Sequence, residues 1–246
     1  MAVIFYLSGT GNSLYAAKSI AQELEQCRLE GITGYLKAPY EVQDEVVGIV
    51  CPVYCMALPP VVEAFLQQVK MVPQYIFLVV TMGAMSGQAL GQGKELLKQR
   101  ELRLSYGAQV ALPDNSIVFP SPQARQEKLL RSAPAELGLI ARNIKNKYDN
   151  YQHLDRGFLW KYGGTAAGMW VLDKIKQFGK LSCADDKCVG CGICAEVCPA
   201  GNITMAAGKP AFGSECVHCF GCAHWCPQNA ISLGRLKPDL KTRYKH

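Results

Sequence analysis

The sequence predicts two folded units in a chain of 246 residues: an α/β domain with a doubly wound, five-stranded parallel sheet, then a small α+β unit organised by cysteines. Three observations carry that expectation. Short apolar runs alternate with amphipathic stretches over residues 1–150. A loop with two glycines, Ser8-Gly9-Thr10-Gly11-Asn12-Ser13, joins the first run to the first amphipathic stretch. A four-cysteine motif occurs twice between Cys188 and Cys226.

Taken in order, residues 2–7 (AVIFYL) read as a buried strand and Ser13 to Glu25 as an amphipathic helix. Residues 31–36 read as the second strand, 46–51 as the third, and 59–70 repeat helical spacing. The run 75–81 (YIFLVVT) is too short and too rich in β-branched residues for a helix, so it reads as a central strand buried on both faces. Residues 88–99 read as a helix, 102–112 as the last strand, and 123–148 as a helix broken at Pro134. The expected division is a first domain over 1–150, a connector over 151–182 and a cysteine-rich domain over 183–246 that ends in a basic tail. The connector gathers Phe158, Trp160, Tyr162 and Trp170, which suits a segment packed against both domains better than a flexible tether.

Composition narrows the function classes. Apolar residues make up 49% and charged residues 19%, which argues against a disordered or collagen-like chain. No apolar stretch reaches bilayer length, and residues 2–7 lack the basic leader of a signal peptide, so a cytoplasmic location is expected. The net charge of +6 divides into −2 over 1–120, +6 over 121–182 and +2 over 183–246. The excess therefore lies between the motifs, and nucleic acid is not an expected partner.

Eight of the twelve cysteines fall in 188–226, a crowding unlike a disulfide-stapled secreted domain. Residues 188–203 (CVGCGICAEVCPAGNI) and 216–231 (CVHCFGCAHWCPQNAI) match at an offset of 28, cysteine for cysteine, with both prolines aligned. Each reads Cys-x2-Cys-x2-Cys-x3-Cys-Pro. Three closely spaced thiolates wrap a corner of an iron-sulfur cubane, and the fourth lies too far along the chain to close the same cluster. Structural zinc is the alternative, although zinc sites usually pair two separated Cys-x2-Cys hooks and need no third close thiolate. Cys27, Cys51, Cys55 and Cys183 lack partners at metal-site spacing and read as inert thiols.

The duplicated run closely resembles bacterial-type ferredoxins carrying two [4Fe-4S] clusters. The resemblance implies crossed ligation: Cys188, Cys191, Cys194 and Cys226 for one cluster, and Cys216, Cys219, Cys222 and Cys198 for the other.

The loop at 8–13 suits an anion. Its glycines let the backbone bend close, its hydroxyls can donate to phosphate oxygens, and the following helix offers free amides. No Gly-Lys-Ser/Thr follows, which excludes a Walker loop, and the third glycine of a dinucleotide fingerprint is missing. The wording Ser/Thr-x-Thr-Gly-x-Ser/Thr after the first strand resembles the FMN phosphate loop of flavodoxins. That resemblance implies FMN held by Ser8, Gly9, Thr10, Gly11, Asn12 and Ser13. It also implies a flavin ring between Pro52, Val53 and Tyr54 on one side and Met82, Gly83 and Ala84 on the other, with Asn115 as a further contact. Tyr54 is the candidate for stacking on the ring, against the plainer reading of an ordinary loop tyrosine. The second loop carries Met82 and Met85 where many flavodoxins place an aromatic residue.

Together the halves resemble a family of fused flavodoxin-ferredoxin proteins found mostly among anaerobic microbes. The resemblance implies an intramolecular electron relay between two [4Fe-4S] clusters and FMN, exchanging electrons with redox partner proteins. Homodimerisation is left open. The alternative is a flavin-dependent reductase of a small substrate fed by the clusters, and a third reading is a non-redox binding module stabilised by them.

Overall fold

The computed structural model describes residues 1–114, 116, 120–153, 170, 180–184 and 186–238. Most of the 151–182 connector, the end of the basic tail and Asn115 lie outside the described residues.

The first 150 residues build a sheet of β1 (Ala2–Tyr6), β2 (Cys27–Gly31), β4 (Val46–Pro52), β6 (Tyr75–Met82) and β7 (Leu104–Ala111). Its order is β2-β1-β4-β6-β7, and every neighbouring pair is parallel. Two short strands, β3 (Glu41–Val42) and β5 (Lys70–Met71), form a separate parallel pair. The helices are α1 (Asn12–Ala21), α2 (Ile32–Lys37), α3 (Pro60–Gln68), α4 (Ala89–Lys98) and α5 (Gln123–Lys145).

Side chains alternate between the two faces of the sheet, and each face is covered. Val3, Phe5, Val47, Ile49, Leu78 and Val80 pack with Ile32, Phe65 and Leu66 from α2 and α3 and with Leu97 from α4. On the other face Ile4, Val50, Phe77 and Val79 pack with Ala17 and Ile20 from α1 and with Leu137, Ile140 and Ile144 from α5. Phe5, Phe65 and Phe77 are fully buried, and each such side chain contributes about 1.5–3 kcal/mol.

The structure departs from the sequence reading at three places. The second strand is Cys27–Gly31, and the residues expected to form it are helix α2. The edge strand is only half-buried along its length, so its sequence shows no apolar run, whereas Ile32 and Tyr35 bury a helical face in a ring cluster with Phe5 and Phe65. Helix α1 ends at Ala21, four residues early. Helix α5 runs through Pro134 without a break. Pro134 lies on the exposed side, where water can meet the carbonyl that loses its donor, while Ala133, Leu137 and Ile140 anchor the buried side.

The cysteine-rich part consists of β8 (Leu181–Cys183), α6 (Ile193–Glu196), β9 (Ile203–Ala206), β10 (Lys209–Phe212), α7 (Gly221–Trp225) and β11 (Ile231–Leu233). Strand β8 pairs antiparallel with β11, and β10 with β9, so the opening strand of each half pairs with the closing strand of the other. The offset of 28 recurs in the backbone. Gly190, Gly192 and Gly201 are left-handed in the first half, and His218, Phe220 and Asn229 are left-handed at the matching places in the second. Among the described residues no helix is long and apolar enough to cross a membrane.

Candidate functional site

Cys188 and Cys191 precede α6, Cys194 lies in its first turn, and Cys226 follows α7. All four line one cavity, so the fourth thiol of this group comes from the second run. Cys183 lines it too. No sequence motif points to Cys183 here, because it reaches the cavity through the β8–β11 pairing. Cys216, Cys219 and Cys222 lie within electrostatic reach of one another and of Cys198 from the first run.

Backbone amides face these sulfurs. Asn202 N–H donates to Cys198 Sγ at 3.3 Å, and its counterpart Ala230 N–H donates to Cys226 Sγ at 3.3 Å. The amides of His218, Gly221 and Ala223 act on Cys216, Cys219 and Cys222 respectively. The left-handed residues turn the chain so that these donors converge. Burial works the other way, pushing the Cys219 thiol up to about 12 and raising Cys216 and Cys222. Thiols so placed ionise when a cation takes the proton's place. Among the described residues no three His, Cys, Asp or Glu side chains converge tightly enough for a single metal ion.

The loops after β1, β4, β6 and β7 meet at the carboxyl edge of the sheet, where the strand order reverses. Gly11 is left-handed at φ 104° and begins α1 with no side-chain cap, so the helix presents free amides there. Ser8 Oγ accepts from Gly11 N–H at 3.2 Å, Thr10 is buried, and Ser13 Oγ bonds Thr81 Oγ1 at 2.9 Å. Asn12 Nδ2 donates to Pro113 O at 2.9 Å, while Asn12 Oδ1 is buried with no hydrogen-bond partner among the described residues. This cradle of small and hydroxyl side chains on a free helix end fits a phosphate.

Pro52 ends β4, and Val53 N–H donates to Thr81 O at 2.9 Å. Tyr54 and Ala57 then exchange two backbone bonds of 2.9 Å around Cys55 and Met56, both left-handed. Met82 ends β6, and Gly83 O accepts from Arg125 Nη2 at 2.8 Å. Ala84 follows in the same loop, and Met85 is largely exposed. Burial first and the Asp114 carboxylate second push the Cys55 thiol up, which keeps it a neutral thiol rather than a nucleophile.

The two halves of the chain meet at these loops. A Cβ on Gly9 would lie 2.7 Å from Cys219 Cβ and 2.9 Å from its Sγ, and one on Gly221 would lie 2.6 Å from Gly9 O. Trp225 Nε1 donates to Gly9 O at 3.2 Å. Helix α2 adds two contacts: Thr33 Oγ1 donates to Pro199 O, and Lys37 Nζ donates to Ala200 O at 2.6 Å. Val217 packs against the sheet core. Sequence reasoning missed Thr33, Lys37, Val217 and Trp225. A signal was present in the second run, where His218, Phe220 and Trp225 replace Gly190, Gly192 and Val197 of the first.

Residues 173–231 match the 4Fe-4S dicluster domain family. The chain joins a flavodoxin-like domain to a 4Fe-4S dicluster domain. No curated protein sequence matches the chain. Solved structures resemble its flavodoxin-like part at low identity. The Trp repressor binding protein from Bacillus subtilis is 11% identical, with 56% of this chain and 97% of that chain covered, at a TM-score of 0.38. Two-electron reduced flavodoxin from Megasphaera elsdenii is 21% identical, with 57% and 98% covered, at 0.37. An azoreductase from Bacillus anthracis is 9% identical, with 58% and 99% covered, at 0.38.

Proposed function

We propose that this chain is an electron relay between two [4Fe-4S] clusters and FMN, exchanging electrons with redox partner proteins. Cys188, Cys191, Cys194 and Cys226 hold the first cluster, and Cys216, Cys219, Cys222 and Cys198 the second. Ser8 to Ser13 receive the FMN phosphate, with the ring between the 52–54 and 82–84 loops. The working units are the domain over 1–150 and the cluster domain over 183–246, joined by the 151–182 connector. When bound, the clusters supply one-electron centres and the flavin a centre that takes one or two electrons.

The observation that carries the reading is the contact of Cys219 with Gly9, which sets a proposed cluster ligand against the proposed phosphate loop. Their surroundings also make the two cluster sites unequal. Val217 beside Cys216 packs on the sheet core, whereas its counterpart Val189 is 66% exposed and Cys191 is exposed. The second site faces inward to the flavodoxin-like domain, and the first faces solvent, where an external partner can reach it. The test is anaerobic purification with flavin extraction, iron analysis and a reductive titration followed by optical and EPR spectra. FMN and about eight irons per chain are expected. A colourless preparation, or a flavin whose reduction level never responds to the clusters, refutes the relay.

A further inference from the structure

The hydroxyl of Tyr54 is buried and meets no hydrogen-bond partner among the described residues. Leaving a buried hydroxyl unbonded is unfavourable. It also sits on a turn that already carries strain, since Cys55 and Met56 hold left-handed backbone that side chains disfavour. The turn is nevertheless firmly fixed, by the two Tyr54–Ala57 bonds and by Gln88 N–H donating to Met56 O at 2.9 Å. The side chain is therefore held where it is. Strand β4, whose following loop carries Tyr54, lies beside β1, whose following loop sets Gly9 against Cys219. Burial first, then the Cys219 and Cys216 thiols, raise the Tyr54 hydroxyl well above its ordinary range. The hydroxyl therefore lacks an acceptor on a loop that runs alongside the one touching Cys219. A cubane fills the space that separates its four thiols, and its sulfurs are hydrogen-bond acceptors.

We propose that Tyr54 is a positioning residue of the second cluster, reaching from the flavodoxin-like domain to donate its hydroxyl hydrogen bond to a sulfur of the cluster held by Cys216, Cys219, Cys222 and Cys198. The inference rests on the relay reading for the presence of that cluster and adds the residue that sets its potential. A donor to cluster sulfur stabilises the more negative, reduced form, so Tyr54 raises the potential of the second cluster. The first cluster is untouched by this residue. Tyr54 also belongs to the loop assigned to the flavin ring.

The experiment is an EPR-monitored redox titration of the full holoprotein and of Tyr54→Phe, with iron and flavin counted in each. In the variant the second cluster is expected to fall in potential by about tenfold in its oxidised-to-reduced ratio, about 59 mV for a one-electron couple. The first cluster should not move, and about eight irons per chain should remain. A variant with lower thermal stability but both potentials unchanged overturns the proposal, because packing alone then explains Tyr54. If Tyr54→Phe does not fold, 3,5-difluorotyrosine introduced at position 54 keeps the shape and strengthens the donor. It should raise the potential of the second cluster, and no shift overturns the proposal. Wild-type protein should further show an exchangeable proton coupled to the second cluster that is lost in Tyr54→Phe, and its persistence in the variant is contrary evidence. Failure of the relay reading looks different: wild-type protein then lacks the second cluster signal or the flavin before any variant is compared.

Discussion

Adding one methyl group at Gly9 probes how the two domains meet. The backbone at Gly9 is not left-handed, so alanine fits its conformation and any cost comes from contact alone. The new Cβ would lie 2.7 Å from Cys219 Cβ, 2.8 Å from Cys219 O and 2.9 Å from Cys219 Sγ, and part of that wall is backbone. Neither side can rotate away, so the domains must separate or the 216–222 loop must shift. Overpacking of this kind costs about 1–3 kcal/mol, and the reduced freedom of the unfolded chain returns about 0.4–1 kcal/mol. A net loss of about 1–2 kcal/mol lowers the melting temperature by about 2–8 °C for a chain of this size. The more telling assay is electron exchange between clusters and flavin, followed by rapid-mixing spectroscopy after reduction with dithionite. Gly9→Ala should slow it while iron and flavin contents stay near wild type. A variant that melts no lower and exchanges electrons at the wild-type rate refutes the contact between Gly9 and Cys219.

Three further substitutions separate the parts of the site. Gly11→Asp places a side chain on left-handed backbone and a carboxylate where a phosphate is proposed, so flavin content should collapse while iron is retained; normal flavin content removes the phosphate-loop assignment. Cys198→Ala should damage the cluster of Cys216, Cys219 and Cys222 and leave the Cys188 cluster intact, giving about four irons per chain and one EPR signal; loss of the Cys188 cluster instead refutes crossed ligation. Trp225→Phe removes the indole donor to Gly9 O and should cost about 1 kcal/mol in thermal unfolding while leaving the iron content unchanged; an unaltered melting curve shows that the bond does not contribute.

The sheet was legible wherever burial on both faces produced a continuous apolar run, as in 75–81, and wherever helices showed a buried stripe, as in 88–99. It was misread where neither condition applied. Strand β2 is an edge strand with Arg28 and Glu30 on it, and the apolar residues that follow it belong to a two-turn helix too short to reveal its period. Pro134 was read as a break because sequence does not say which way a proline faces. The duplicated cysteines could be read directly, since spacing along a chain is itself the signal for a cluster loop. The meeting of Gly9 with Cys219 could not, because it joins residues 210 positions apart through the packing of α2 and α7 rather than through any periodicity.

The repeat bears on why Cys219, and not its counterpart Cys191, meets the loop at Gly9. The first run satisfies its three left-handed positions with Gly190, Gly192 and Gly201 at little steric cost. The second run fills the matching positions with His218, Phe220 and Asn229, where a side chain on left-handed backbone costs about 1–3 kcal/mol each, least for asparagine. Phe220 offsets part of that cost by packing into the cluster core, and Trp225 adds the bond to Gly9. Those gains are local to the half whose Cys219 meets Gly9. Returning Phe220 to glycine would relieve backbone strain and remove apolar packing beside Cys222 at the same time, so the two effects on stability nearly cancel. Stability alone therefore does not select the aromatic residue there.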